Sequence, residues 1–246
     1  MASTTLKDCR HATCSCHAGA DAGGWSRRRM LGGIAAGALV AATPLASLFP
    51  KAARAEDDLG PQAALDRLMD GNARFVDRRL TLLDKDLAIL REKTVAKQRP
   101  FASVLSCADS RVPVELMFDQ SIGQIFVNRV AGNIATPEII ASIEYGVAVL
   151  GTPVLMVLGH TGCGAVQAAM AAKLAPGKIT SLYRYIKPAI ARADGDLEKT
   201  IKANAQVQAK TLKDSSVVVA AAVAAGTLKL VAGYYDLASG KVTVLG

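Results

Sequence analysis

Pro153-Val154-Leu155-Met156-Val157-Leu158-Gly159-His160-Thr161-Gly162-Cys163-Gly164 holds five consecutive apolar residues and then a glycine-punctuated turn. The apolar run is of strand length, and no polar residue alternates with the apolar ones, so both faces of such a strand must be buried. Residues 101–106 and 124–127 are further short, mainly apolar runs of strand length, and helical periodicity follows at 137–150 and 165–173. Continuously apolar strands alternating with helices predict an α/β fold, a mostly parallel central sheet flanked by helices.

Outward from that centre, amphipathic helical patterns occupy residues 61–76 and 84–97, the first repeating Ala64, Leu65, Leu68, Met69 and Phe75. A further helical pair, 181–193 and 196–212, leads into the alanine-rich stretch 217–225. The chain closes with strand-like runs at 228–235 and 241–245 around Leu237-Ala238-Ser239-Gly240, which reads as a C-terminal hairpin strand. Neither an internal repeat nor an interdomain linker interrupts the series.

Residues 1–55 have a different character. Ser26-Arg27-Arg28-Arg29-Met30-Leu31 opens an apolar stretch through Leu39, Val40, Leu45 and Phe49, and Ala53-Arg54-Ala55 supplies a small-residue cleavage pattern. Paired arginines before an apolar segment match the twin-arginine export signal. The alternative is an uncleaved anchor, because residues 31–49 are just long enough to cross a bilayer. Gly32, Gly33, Gly37, Thr43, Pro44 and Ser47 weaken that run and favour cleavage. The expected organisation is a signal peptide over 1–55 and a catalytic domain over 56–246, periplasmic or otherwise exported, handled by the twin-arginine machinery and without stable membrane insertion.

The leader carries seven of the 29 basic and two of the 21 acidic side chains, so the remainder has 22 and 19, a net charge of +3 rather than +8. That is no electrostatic footprint for nucleic acid. Cys9, Cys14, Cys16, His11 and His17 also fall in the leader. They form a tract with metal-binding residue types but without apolar periodicity, as in a disordered extension.

Beyond residue 55 the chain keeps two cysteines and one histidine, Cys107, Cys163 and His160. Two thiolates and an imidazole make a complete protein ligand set for a catalytic zinc, which leaves its fourth position for water. Cys107 follows the strand at 101–106, and His160 and Cys163 follow the strand at 153–158. Ligands bind at that carboxyl edge in an open parallel sheet, and adjacency of the two strands would let the three donors meet. The competing reading is one disulfide, usual for an exported chain with two cysteines. Folding before twin-arginine export, with metal acquired in a reducing compartment, favours the metal. Asp109 and Arg111 lie two and four residues after Cys107, where Arg111 can keep the carboxylate ionised beside a cation. The plainer alternative is an ion pair capping the next helix.

Cys107-Ala108-Asp109-Ser110-Arg111, followed 49 residues after Arg111 by His160-Thr161-Gly162-Cys163-Gly164, resembles the β-class carbonic anhydrases, and the likeness runs from about Leu65 to Leu245. The resemblance implies one Zn2+ per subunit on Cys107, His160 and Cys163, an Asp109–Arg111 dyad, and a homodimer or dimer of dimers whose N-terminal helices wrap the partner. Similarity to the plant-like branch implies a carbon dioxide and bicarbonate pocket lined by Gln98, Phe126, Ala131, Tyr145 and Gly164, with Ala131 replacing a bulkier valine. A bicarbonate regulatory site in another branch uses a tryptophan, and Trp25 in the leader is the only one here.

What the resemblance implies chemically is reversible hydration of carbon dioxide to bicarbonate and a proton, with zinc-bound hydroxide as the attacking group. Because the single histidine beyond residue 55 is a ligand, the proton must pass to external buffer. Hydrolysis of carbonyl sulfide or carbon disulfide on the same fold is the alternative, and a non-catalytic zinc-binding module a further one. Intact Asp109, Arg111 and Gln98 speak against the module, which would normally bring a fourth protein ligand. A thiol redox protein is disfavoured because Cys107 and Cys163 are not in a Cys-x-x-Cys arrangement.

Overall fold

The computed structural model describes residues 59–81 and 94–246. The expected leader and most of the helix expected at 84–97 lie outside the described residues. Residues 95–97 are not helical.

Helix α1, Pro61–Val76, starts where the sequence predicts, because proline at the first helical turn has no N–H to leave unsatisfied. Its Ala64, Leu65 and Leu68 belong to one buried cluster with Val104, Met156 and Phe118. Gly71 permits this approach, since a Cβ there would lie 1.8 Å from the Phe118 carbonyl oxygen. Buried Asn72 then ties the helix down. Its Nδ2 donates to the carbonyls of Met117 (3.0 Å) and Gly240 (2.9 Å), and its Oδ1 accepts from the Val242 N–H at 2.7 Å.

The sheet contains β1 (Ala102–Ser106), β2 (Ile125–Arg129), β3 (Val154–His160), β4 (Lys229–Tyr235) and β5 (Val242–Leu245), in the order β2-β1-β3-β4-β5. The first four are parallel, and β5 runs antiparallel to β4 as the predicted hairpin. All seven residues of β3 are buried. Its alternate side chains divide between two cores: Val154, Met156 and Leu158 face the α1 side, Leu155 and Val157 the other. Two layers of cover account for the uninterrupted apolar run.

The remaining helices are α2 (Val114–Met117), α3 (Pro137–Glu144), α4 (Gly164–Met170), α5 (Tyr183–Ile190), α6 (Leu197–Ser215) and α7 (Val217–Ala224). The helix expected over 137–150 changes character at Tyr145, where a π-helical turn, Tyr145–Val149, carries the chain to β3. The segment expected over 181–193 divides into a 3₁₀ turn, Ile179–Leu182, and α5. Helix α6 lies against β3 and β4, with Ile201, Asn204, Ala205, Gln208 and Leu212 on its buried face. Among the described residues no helix is long and apolar enough to cross a membrane.

From β1 the chain moves to β2 on one side and then to β3 on the other, so the strand order reverses between β1 and β3. A crevice opens at the carboxyl ends of strands at such a point.

Candidate metal centre

Cys107 follows the end of β1, His160 is the last residue of β3, and Cys163 immediately precedes α4. The strand β3 runs two residues further than the sequence pattern marks, because Gly159 and His160 continue the pairing onto Tyr234 and Tyr235 of β4. Since β1 and β3 are hydrogen-bonded neighbours, the three side chains converge. All are buried, and their donor atoms lie within 4.8 Å of one another.

The donor set fits a tetrahedral zinc. The sulfurs are unbonded and 3.9 Å apart. A tetrahedron with Zn–S bonds of about 2.3 Å has an S···S edge of about 3.8 Å. His160 Nδ1 lies 3.0 Å from the Thr161 carbonyl, which can only accept, so the proton sits on Nδ1. Nε2 therefore keeps its lone pair, and it is fully buried with no hydrogen-bond partner among the described residues. An orphaned imidazole nitrogen facing two sulfurs is costly unless a cation takes it. The Cys163 sulfhydryl lowers the Cys107 pKa against the opposing effect of burial, aided by His160 and the Gly132 N–H, while Cys163 is pushed up.

Asp109 closes one side. Its Oδ1 accepts from the Arg111 backbone N–H and Nε, each at 3.0 Å, and its Oδ2 accepts from an Arg111 terminal nitrogen at 2.8 Å. The Arg111 guanidinium thereby holds the carboxyl well below the usual carboxylate range, outweighing burial. Oδ2 is also 3.8 Å from His160 Nε2, so the carboxylate borders the metal position. Arg129, at the end of β2, bridges the turn by donating to the carbonyls of Cys107 (3.0 Å) and Asp109 (2.7 Å).

The carbonic anhydrase family model matches residues 102–242. A carbonic anhydrase of Mycolicibacterium smegmatis is 38% identical over 192 residues, covering 74% of this chain and 92% of that protein. Carbonic anhydrase 2 of Mycobacterium tuberculosis is 34% identical, covering 75% and 92%. A solved β-carbonic anhydrase of Coccomyxa, in complex with acetazolamide, superposes with a TM-score of 0.57 at 26% identity, covering 74% of this chain and 86% of that one.

The chain belongs to the β-carbonic anhydrase family.

The β-carbonic anhydrase CcaA shares the fold, with a TM-score of 0.60 at 23% identity over 73% of this chain and 86% of that one. Within the present carbonic anhydrase, the residues expected to form the site fall into two groups. Ala131 and Gly164 adjoin the centre, the first beside Gly132, whose N–H donates to Cys107 Sγ at 3.3 Å, the second beside Cys163. Phe126 and Tyr145 form a pair of their own, ring centroids 6.1 Å apart. Phe126 is in register with Ser103, three residues short of the end of β1, or about 10 Å down the sheet. Gln98 precedes β1 and Cys107 follows it, so these two lie towards opposite ends of that strand.

Sequence reasoning missed Arg129 and the α6 amides Asn204 and Gln208, both buried. The signal for the amides was present. They recur at helical spacing with Ile201, Ala205 and Leu212, where apolar side chains are the rule. Thr161, within the His160–Gly164 motif, has a structural part of its own. Its hydroxyl oxygen lies 3.1 Å from the Tyr234 hydroxyl and accepts the Leu237 N–H at 3.3 Å, which fixes the peptide that receives His160.

Proposed function

We propose that this carbonic anhydrase hydrates carbon dioxide reversibly to bicarbonate and a proton, using one zinc per subunit held by Cys107, His160 and Cys163. The observation that carries the reading is the buried, unpartnered His160 Nε2 facing two sulfurs, with an ionised Asp109 at its edge. Zinc, when bound, supplies Lewis acidity that makes water a nucleophile near neutral pH.

The protein's own residues supply orientation. Asp109 Oδ1 is saturated by two Arg111 donors, whereas Oδ2 accepts only one, so a lone pair remains on the atom nearest His160 Nε2. That lone pair can accept a hydrogen bond from an O–H group at the metal position and so fix which face of that oxygen meets substrate. Arg111 keeps the carboxylate from taking the proton itself. The released proton passes to buffer, since His160 is spoken for as a ligand.

Phe126, Tyr145 and Gln98 lie away from their own chain's metal centre along β1 and β2, which favours a role at the centre of a second subunit. Tyr145 is 47% exposed, Val149 46%, and both lie on one π-helical turn. In our reading a homodimer apposes this apolar face and the Gln98 end of β1 to the partner's metal centre, completing a carbon dioxide pocket from two chains. The N-terminal helices, α1 among those described, wrap the partner. Residues 1–55 direct export by the twin-arginine route. Replacing Arg27 and Arg28 by lysine is expected to retain the protein in the cytoplasm, and unchanged export would overturn that assignment.

Comparing turnover of carbon dioxide, carbonyl sulfide and carbon disulfide by the zinc-loaded enzyme tests the substrate. Carbon dioxide hydration is expected to be fastest and to rise with buffer concentration. Faster hydrolysis of either sulfur compound would replace the reading by the alternative one.

A further inference from the structure

We propose that Asn204 and Gln208, buried amides one turn apart on α6, are positioning residues for the metal centre, acting through the Gly132 N–H that faces the Cys107 sulfur. The proposal rests on the metal reading above.

The two amides form a closed chain of bonds. Asn204 Nδ2 donates to the Gly132 carbonyl at 2.9 Å, and Asn204 Oδ1 accepts from Gln208 Nε2 at 3.0 Å. Gln208 Nε2 also donates to the Tyr185 carbonyl at 2.8 Å, and its Oε1 accepts from the Ala135 N–H at 2.9 Å. Asn204 is fully buried and Gln208 1% exposed. Amides so placed cost stability unless every atom is bonded, and here each side-chain nitrogen and oxygen is. What they grip is the loop from β2 to α3, at two backbone positions three residues apart.

Gly132 is where that grip matters. Its φ is +80°, the left-handed region, and a Cβ would meet Ile186 Cδ1 at 3.0 Å. Glycine takes this conformation without strain, but it does not by itself hold its flanking peptides in one orientation. Asn204 fixes the peptide after Gly132 by its carbonyl, and Gln208 fixes the loop three residues on. The peptide before Gly132 is then left with its N–H directed at Cys107 Sγ, 3.3 Å away. An N–H held against a sulfur ligand draws electron density from it and keeps it in place. Neighbours of this kind are worth about 10–100-fold in metal affinity.

The test uses the full chain loaded with cobalt or zinc. Asn204→Leu and Asn204→Asp both lose the bond to Gly132, and Gln208→Glu keeps the acceptor for Ala135 while losing both donated bonds. Ser216→Ala, which removes the α7 cap on Val219 N–H and the bond to Glu144, serves as a control for lost stability away from the centre. We expect the sulfur-to-cobalt charge-transfer band to move to lower energy in both Asn204 variants. Zinc release to a chelator should accelerate about 10-fold or more. Gln208→Glu should show a smaller change in the same direction, and it carries the test should the Asn204 variants not fold. Ser216→Ala should lower the melting temperature without moving the band. An unchanged band and release rate in folded variants, or an equal change in Ser216→Ala, would overturn the proposal. Failure of the wild-type protein to take up either metal would instead overturn the metal reading beneath it.

Discussion

A single lone pair decides what Asp109 can do. Three of the four strong acceptor directions on its carboxylate are taken by Arg111, and the free one belongs to the oxygen closest to His160. Removing the carboxylate leaves the three donors untouched, so Asp109→Ala is expected to keep its zinc while losing about 100-fold or more in carbon dioxide hydration. Metal analysis beside stopped-flow rates checks both halves, and zinc loss in the variant would show Asp109 to be part of the metal's own cage. The donors were legible in the sequence because cysteine and histidine are so scarce beyond residue 55 that elimination leaves one combination. Asn204 was not, since a polar residue within a helical pattern reads as solvent-facing until the partner on the far loop is seen.

At the scale of elements, the strand-to-turn boundaries that build the site depend on β1 and β3 pairing, and both were readable as short apolar runs, β3 unbroken over 153–158 and β1 interrupted within by Ser103. Helix α1 was equally plain from Pro61 and its repeating leucines. The π-helical turn at Tyr145 was not, because a one-residue widening leaves the apolar spacing nearly intact. One ion pair joins α1 to the turn before β2. Burial acts to raise the Asp119 pKa, but the Arg74 guanidinium at 2.5 Å and the Thr81 N–H and hydroxyl outweigh it and hold the group low. A carboxyl depressed on folding adds stability that is complete above its unfolded value, about 4, and is lost as pH falls through the lower folded value. Asp119→Ala is therefore expected to destabilise by about 3 kcal/mol at neutral pH and to flatten the acid side of the stability curve. Denaturant melts at pH 7 and pH 3 measure this; an equal deficit at both would mean the charge contributes nothing.

For the whole molecule, the placement of Gln98, Phe126 and Tyr145 is what resemblance by sequence motif could not convey. Motifs name residues but not the subunit on which they act, and here β1 separates Gln98 from Cys107 while Phe126 sits partway down the sheet. A two-chain site predicts complementation. Asp109→Ala and Tyr145→Ala subunits, each nearly inactive alone, are expected to regain about a quarter of wild-type activity when mixed. Half of the random dimers are hybrids, and each hybrid has one intact site. No recovery in verified hybrids would place both residues in one chain's site.

The most direct measurement titrates zinc into metal-free enzyme while following carbon dioxide hydration. Activity is expected to rise linearly and break sharply at one zinc per subunit, with no rise in Cys163→Ser over the same range. Hydration that is already complete without added metal, or a protein that binds zinc yet never accelerates the reaction, would contradict it.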